Sequence, residues 1–275
     1  MNDYYPSIFN DVIGPVMRGA SSSHVAAAHR IGALARDYMK GEFDRALIEY
    51  DPNGSLKPTH DSQGSDMGLF TGLMGWDVTD ERMVDAVSHL EGQGISVEIR
   101  ITDYQAIHAN TYKLTLSNNT ESICFIAIST GGGMIEIIEI NGCKLSIVGD
   151  YYETLILCTD KTLMGTLKSD YVLQHETPEG YLIQVKGQAF VDKSQLPDDC
   201  EVRTLKPVLP IGSQRELSIP FRDSEELISF NTDKGMDLWK LALIYESARG
   251  NISEEIVFDK MREIVRILDQ SIAQG

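Results

Sequence analysis

Four stretches concentrate the side chains able to do polar chemistry: GASSSHVAAAHRIG at 19–32, GSLKPTHDSQGSD at 54–66, IHANTYKL at 107–114 and STGGGMIEI at 129–137. Serine beside histidine in the first could pair a nucleophile with a base. Neighbours at a helix start point in different directions, however, and no Gly-x-Ser-x-Gly elbow is present. Ser21, Ser22 and Ser23 read better as capping serines at a helix amino terminus, where free N–H groups can hold an anion. In the second stretch, His60 and Asp61 stand in a polar loop where neighbours could tune an acid or a base. Gly131, Gly132 and Gly133 match neither G-x-x-x-x-G-K-[ST] nor G-x-G-x-x-G. They read as a turn or bulge whose missing side chains let a ligand or a loop approach closely. His24 and His108 have the most suggestive surroundings, whereas His29, His89 and His175 carry no local signature and read as structural.

These stretches interrupt a regular pattern. Gly14, Pro15 and Gly19 bracket a short segment, after which Ser21 to Lys40 places Val25, Ala28, Ile31, Ala35 and Tyr38 on one helical face. A strand is expected at 45–51, a loop at 52–65, and helices at 66–75 and about 80–92. Alternation then predicts strands near 95–104, 110–118, 122–129 and 133–140, with turns at Asn118-Asn119 and Asn141-Gly142. Residues 1–150 thus read as an α/β or α+β domain with a substantially antiparallel sheet. Residues 151–222 read as a small β-rich module or linker: TLILCT and YLIQVKGQAF are strand-like, and Pro197, Pro207, Pro210 and Pro220 mark an extended connection. Residues 223–275 read as a helical hairpin, with Gly250 closing a helix of about 235–249 and Asn251 with Glu254 forming a capping box for the next. Its apolar stripes are wide enough to need the chain's own sheet, a partner chain or a second copy to pack against.

The 275 residues suffice for one large or two modest domains, and 42% hydrophobic with 24% charged residues is a folded globular composition. Twenty-four basic against 41 acidic residues give a net charge of -17. Such a surface repels phosphate backbones and anionic lipid, which argues against nucleic-acid and membrane partners. The segment MNDYYPSIFNDVIG has neither a basic leader nor a long apolar core, and no run of about 18 apolar residues occurs, so a cytoplasmic chain is expected. Cys124, Cys143, Cys158 and Cys200 form no Cys-x-x-Cys pair and match no metal-site spacing. They read as reduced thiols, so any metal cluster would have to come from elsewhere.

Taken in order, IGPVMRGASSSHVAAAHRIG, GSLKPTHDSQGSD, HANT and STGGGMIEIIEING resemble the β subunit, or β domain, of iron-sulfur L-serine dehydratases, over about residues 8–149. The resemblance implies an allosteric-substrate-binding-like α+β fold and an oxygen-sensitive lyase converting L-serine to pyruvate and ammonia. It also implies a [4Fe-4S] cluster held by the cysteines of an α domain, here expected on a separate α subunit. Residues 235–275 resemble the opening helices of that domain. Ser21, Ser22, Ser23 and His24 would form the serine-rich site loop, with Ser22 and His24 in catalytic roles. Thr59, Gln63, Ser65 and Asp66 fall on the family pattern GSLxxTxKGHGTD, Asn110 and Thr111 on HPNT, and Gly131 to Gly133 on the glycine turn, all expected to bind substrate. ETLILCTDKTLMGTL faintly resembles the start of an ACT regulatory domain.

Three departures bear on this reading. The pattern's histidine is Gln63, which cannot act as a base at neutral pH. Its lysine and glycine are Asp61 and Ser62. The threonine after SSSH is Val25, and the proline of HPNT is Ala109. His60, three residues from Gln63, is therefore expected to take over proton transfer. The alternatives are a lyase for another 3-substituted amino acid, or a non-catalytic amino-acid-binding or regulatory subunit. A homo-oligomer is compatible with the apolar hairpin.

Overall fold

The computed structural model describes residues 5–13, 19–160, 162–167, 169, 171–178, 180–213 and 218–274. Gly14 and Pro15 lie outside the described residues. The chain divides into two compact units, one made of Met1–Val16 with Pro210–Gly275 and the other of Met17–Leu209. The partition falls near residues 16 and 209, whereas the sequence changes character at 150 and 222.

In the larger unit α1 (Ser22–Tyr38) is the central helix, followed by β1 (Arg45–Tyr50), α2 (Ser65–Met74), α3 (Ala86–Gly92), β2 (Ser96–Ile101), β3 (Thr111–Ser117), β4 (Ser122–Gly131), β5 (Met134–Ile140) and β6 (Cys143–Ile147). The strands form one sheet in the order β2-β1-β3-β4-β5-β6. Only β1 and β2 run parallel, because the α2–α3 crossover returns the chain in the same direction. The remaining pairs are antiparallel. Alternation decides which face is covered: Ala46, Ile48 and Tyr50 of β1 are buried in one cluster with Ala28, Ile31, Leu34 and Ala35 of α1 and Leu69 and Leu73 of α2. This is the α+β class that the sequence predicts.

Helices α1 and α2 touch backbone to backbone. A Cβ placed on Gly68 would lie 2.3 Å from the Val25 carbonyl oxygen, and one on Gly72 would lie 2.2 Å from that of His29. Three glycines on the facing surfaces, Gly32 included, set this spacing. The helix expected at 80–92 is broken: Asp80 accepts a hydrogen bond from the Arg82 amide at 2.9 Å and starts a 3-10 turn, Glu81–Asp85, before α3.

A second sheet, β10-β7-β9-β8, completes this unit from β7 (Tyr152–Cys158), β8 (Tyr171–Thr177), β9 (Gly180–Gly187) and β10 (Glu201–Leu205). Leu155, Leu182 and Leu205 enter the same core as the first sheet. Strand β10 lies inside the segment expected to be an extended connection. It is anchored by Arg203, which pairs with Glu121 and Glu201 and donates to the Tyr38 carbonyl at 3.2 Å. Glu153 of β7 is fully buried between Gln184, whose side-chain amide it accepts at 3.0 Å, and Lys186, 3.6 Å away.

The smaller unit holds α4 (Ser224–Asn231), α5 (Leu238–Gly250) and α6 (Glu254–Gln274). Buried Glu246 accepts from the Ile8 amide at 2.9 Å and from the Ser7 hydroxyl, and buried Arg249 donates to the carbonyls of Tyr5 and Gly212. The capping box expected at Asn251 is displaced. Asn251 adopts a left-handed conformation (φ 48) that ends α5, and Ser253 caps α6 instead, accepting from the Ile256 amide at 3.3 Å. Among the described residues no helix is long and apolar enough to cross a membrane.

Candidate active site

The most connected polar group is built on the end of β1 and the start of α2. Asp66, in the first turn of α2, accepts from the Tyr50 hydroxyl at 2.8 Å through Oδ1, and its Oδ2 lies 2.5 Å from His60 Nδ1. The His60 ring stacks on Tyr50, centroids 4.7 Å apart. Burial, followed by the charge of Asp66, pushes the Tyr50 phenol well above its ordinary range. Tyr50 therefore stays a donor, and Asp66 stays the acceptor between the phenol and the imidazole. A carboxylate facing Nδ1 fixes the proton on that nitrogen and leaves Nε2 as the basic atom. Beside them, Ser65 accepts from the Tyr112 hydroxyl at 3.2 Å, and burial pushes that phenol up to about 12.

The loop carrying His60 is held at both ends. Ser55 donates its amide to the Ala109 carbonyl at 2.8 Å and its hydroxyl to the Asn110 side-chain oxygen. Thr59 donates its hydroxyl to the Ser55 carbonyl at 2.6 Å. The amides of His60 and Gln63 donate to the carbonyls of Leu56 and Thr59, four residues back in each case, so the loop coils as a helical turn. The Asn110 carbonyl in turn accepts the Ser129 amide at 3.0 Å, and Thr111 donates its hydroxyl to the His108 carbonyl at 2.5 Å. The second, third and fourth sequence stretches thereby meet.

The first stretch joins them through packing. Fully buried Val25 is enclosed by glycines: a Cβ would lie 2.4 Å from its side chain at Gly19 and 2.8 Å at Gly64, next to Gln63. The serines do not cap α1 as expected. Ser21 occupies the N-cap position without a side-chain cap bond, and its hydroxyl lies 2.9 Å from His24 Nδ1 and 3.4 Å from the Ser23 hydroxyl. Ser22 is exposed on the first turn of α1. Gly131, Gly132 and Gly133 turn β4 into β5 with φ of +110°, +60° and +84°, conformations that favour glycine. At Gly133 a Cβ would lie 2.8 Å from Ala26, and the Arg30 guanidinium donates to the Gly133 carbonyl, which fastens this turn to α1.

Tyr50, Tyr112 and Arg30 escaped the sequence reading. The one signal for Arg30 was a charge inside a small-residue helical face, where it is indeed buried. His29 donates to the Trp76 carbonyl at 2.9 Å, His89 packs on the Trp76 ring, and His175 lies on β8, all away from this group. His108 orders its own loop, accepting the Asn110 amide at 3.1 Å.

As to metals, among the described residues no three His, Cys, Asp or Glu side chains gather into a metal-holding group, and the four cysteines are free, two on the first sheet and two at the second. These side chains do not fit a four-iron cluster.

The larger unit is thus a helix-covered α+β domain whose polar loops meet around a histidine–carboxylate pair. No protein-family model matches the chain. It is 40% identical over 163 residues to "Probable L-serine dehydratase, beta chain" of Bacillus subtilis (strain 168), covering 59% of this chain and 72% of that one. It is 31% identical over 158 residues to "L-serine dehydratase, beta chain" of Peptoniphilus asaccharolyticus, covering 57% and 69%. The chain belongs to the L-serine dehydratase beta-chain family.

Proposed function

We propose that this chain is the beta subunit of an L-serine ammonia-lyase, working in the cytoplasm with a separate alpha subunit that carries a [4Fe-4S] cluster, and that His60 moves the α-proton of L-serine. The observation carrying the reading is the Tyr50–Asp66–His60 chain of hydrogen bonds at the meeting point of the family's loops. The spread of the four cysteines over two sheets supports a cluster held by the partner chain.

Elimination of water from L-serine requires a base at Cα while hydroxide leaves Cβ. His60 Nε2 takes the proton; Asp66 holds Nδ1–H and stabilises the imidazolium that forms, as a carboxylate does for a catalytic histidine. Ser22, Ser23 and the open backbone at Gly131 and Gly132 supply donors for the substrate carboxylate. Thr59, Gln63, Asn110 and Thr111 hold the walls, and Ser21 orients His24. The product of elimination, aminoacrylate, tautomerises to the imine, and water adds to its C=N carbon to give pyruvate and ammonia.

The test is pyruvate release from L-serine by the complex purified without oxygen, in four forms: native, His60→Ala, Gln63→His, and His60→Ala with Gln63→His. His60→Ala should lower turnover by about 10²–10⁴-fold, the span of a general base, and the added histidine at 63 should restore part of it. Native-like turnover by His60→Ala refutes the assignment. Gln63 favours a second reading, a regulatory subunit or another 3-substituted amino acid: a native complex inert on L-serine that gains turnover with Gln63→His would establish the former.

A further inference from the structure

The six-stranded sheet ends at β2, and among the described residues no strand pairs with its outer side. The Ser96 and Thr102 amides donate to Asp44 and Tyr50 on the β1 side. Groups alternate along a strand, so the even-numbered residues spend their N–H and C=O on β1, and Val97, Ile99 and Ile101 direct theirs outward. Exposed edges are usually blunted by charged residues, above all lysine, by proline or by a bulge. Strand β2, SVEIRI, has no lysine, proline or bulge; its two charges are of opposite sign, and its six-residue register with β1 is unbroken. The opposite edge, β6, is irregular, with a register shift where it pairs with β5.

The side chains of β2 are self-complementary. Glu98 and Arg100 stand on the face away from the helices, both about half exposed, and pair with each other at 2.5 Å. On the helix side Ile99 and Ile101 remain 38% and 46% exposed, and Val87 of the neighbouring α3 is also partly open. Outward-directed residues must face outward-directed residues, which leaves few symmetric antiparallel registers. A two-fold axis at residue 98 would set Glu98 against Glu98, and one at residue 100 would set Arg100 against Arg100. An axis at Ile99 sets each Glu98 against Arg100 of the second copy, in the closely spaced, non-hydrogen-bonded position where cross-strand side chains interact most. In that register Ile99 meets Ile99, and Val97 meets Ile101, as hydrogen-bonded pairs.

We propose that β2 is the contact between two copies of this chain, joined antiparallel about Ile99 so that the two sheets become continuous. The occupant is a second copy because opposite charges and apolar side chains both match across one axis, the property an isologous interface requires. The interface lies at a sheet edge and uses none of the residues assigned to proton transfer.

The experiment is sedimentation velocity of the full-length chain over a concentration series, with Glu98→Arg and Arg100→Glu made singly and then mixed. The native chain should sediment as a dimer. Each variant places two like-charge pairs across the axis by symmetry and should dissociate at least about tenfold more readily. An equimolar mixture should regain the dimer, because positions 98 and 100 are both acidic in the Arg100→Glu chain and both basic in the Glu98→Arg chain, so every cross-axis pair is again of opposite charge. Both positions are exposed, and recovery on mixing shows that the variants are folded. A monomeric native chain, a dimer that withstands both substitutions, or a mixture that stays dissociated overturns the proposal.

Discussion

Replacing Gly72 by alanine tests whether the α1–α2 contact positions the site. The added methyl would sit 2.2 Å from the His29 carbonyl oxygen and 2.7 Å from the Ala33 amide nitrogen. Ordinary contact begins near 3.4 Å, so the helix backbones must separate by about 1 Å, and neither atom belongs to a side chain that can rotate away. Overpacking of this kind costs about 1–3 kcal/mol, against a gain of about 1 kcal/mol in helix propensity from glycine to alanine. Because every clashing atom is backbone, the upper part of the overpacking range applies, about 2–3 kcal/mol, and the net expectation is a loss of about 1–2 kcal/mol, or a Tm lower by about 2–8 °C for a unit of this size. Gly92, at the end of α3 and with nothing within 4 Å of its Cβ position, isolates the propensity term. Gly92→Ala should be neutral or stabilising by up to about 1 kcal/mol. Thermal unfolding followed by circular dichroism compares the two directly. Because α2 carries Ser65 and Asp66 at its first turn, Gly72→Ala should also lower turnover of the complex. A Gly72→Ala chain as stable as the native one would refute the claim that these helices are in backbone contact.

Two further outcomes follow from buried polar groups. Burial pushes the Glu153 carboxyl up to about 7, only partly offset by Lys186, so between pH 4.5 and 7 the folded chain binds more protons here than the unfolded chain. The contribution is full below pH 4.5 and is lost as pH rises through 7, on the order of 3 kcal/mol. Glu153→Gln removes this dependence, so the stability of the native chain relative to the variant should fall across that window in urea unfolding; a pH-independent difference would contradict it. Tyr50→Phe deletes a hydrogen bond to the Asp66 carboxylate and should cost about 1–3 kcal/mol by the same measurement, with turnover reduced; unchanged stability would show that the bond contributes nothing.

The sequence makes most of the larger unit legible where one face is buried. The stripe from Val25 to Tyr38 gives α1, and alternation gives β1 to β5 within a few residues. Strands β6, β8 and β10 escaped for separate reasons. CKLSI follows the Asn141-Gly142 turn too closely to show a period, YVLQHET lies on an edge with weak alternation, and EVRTL sits between Pro197 and Pro207 with Arg203 at its centre. Prolines that flank a strand thus give the same local signal as prolines that break one. The site motifs are visible as types and spacing, but their pairing is not. That Asp66 reaches back six residues to His60, and that Ser21 turns to His24 rather than to the helix amides, depends on loop coiling that no local pattern encodes.

Two of the departures from the family pattern, Val25 and Gln63, differ in physical weight. Val25 is sealed between glycines at the α1–α2 contact, and its methyl groups fill space that a threonine would fill equally. A threonine hydroxyl there would lie within the packing between helix and loop and would need a hydrogen-bond partner. Gln63 is partly exposed, on a loop whose amides bond four residues back. In such a coil, positions 60 and 63 are three apart and share a face, with Cβ atoms about 5–6 Å from each other. An imidazole reaches across that interval by rotation about its own side-chain bonds. On the proposed mechanism a base displaced by one helical turn therefore serves the same substrate position, and Asp66, the acidic residue of the same motif, is the group that fixes its tautomer.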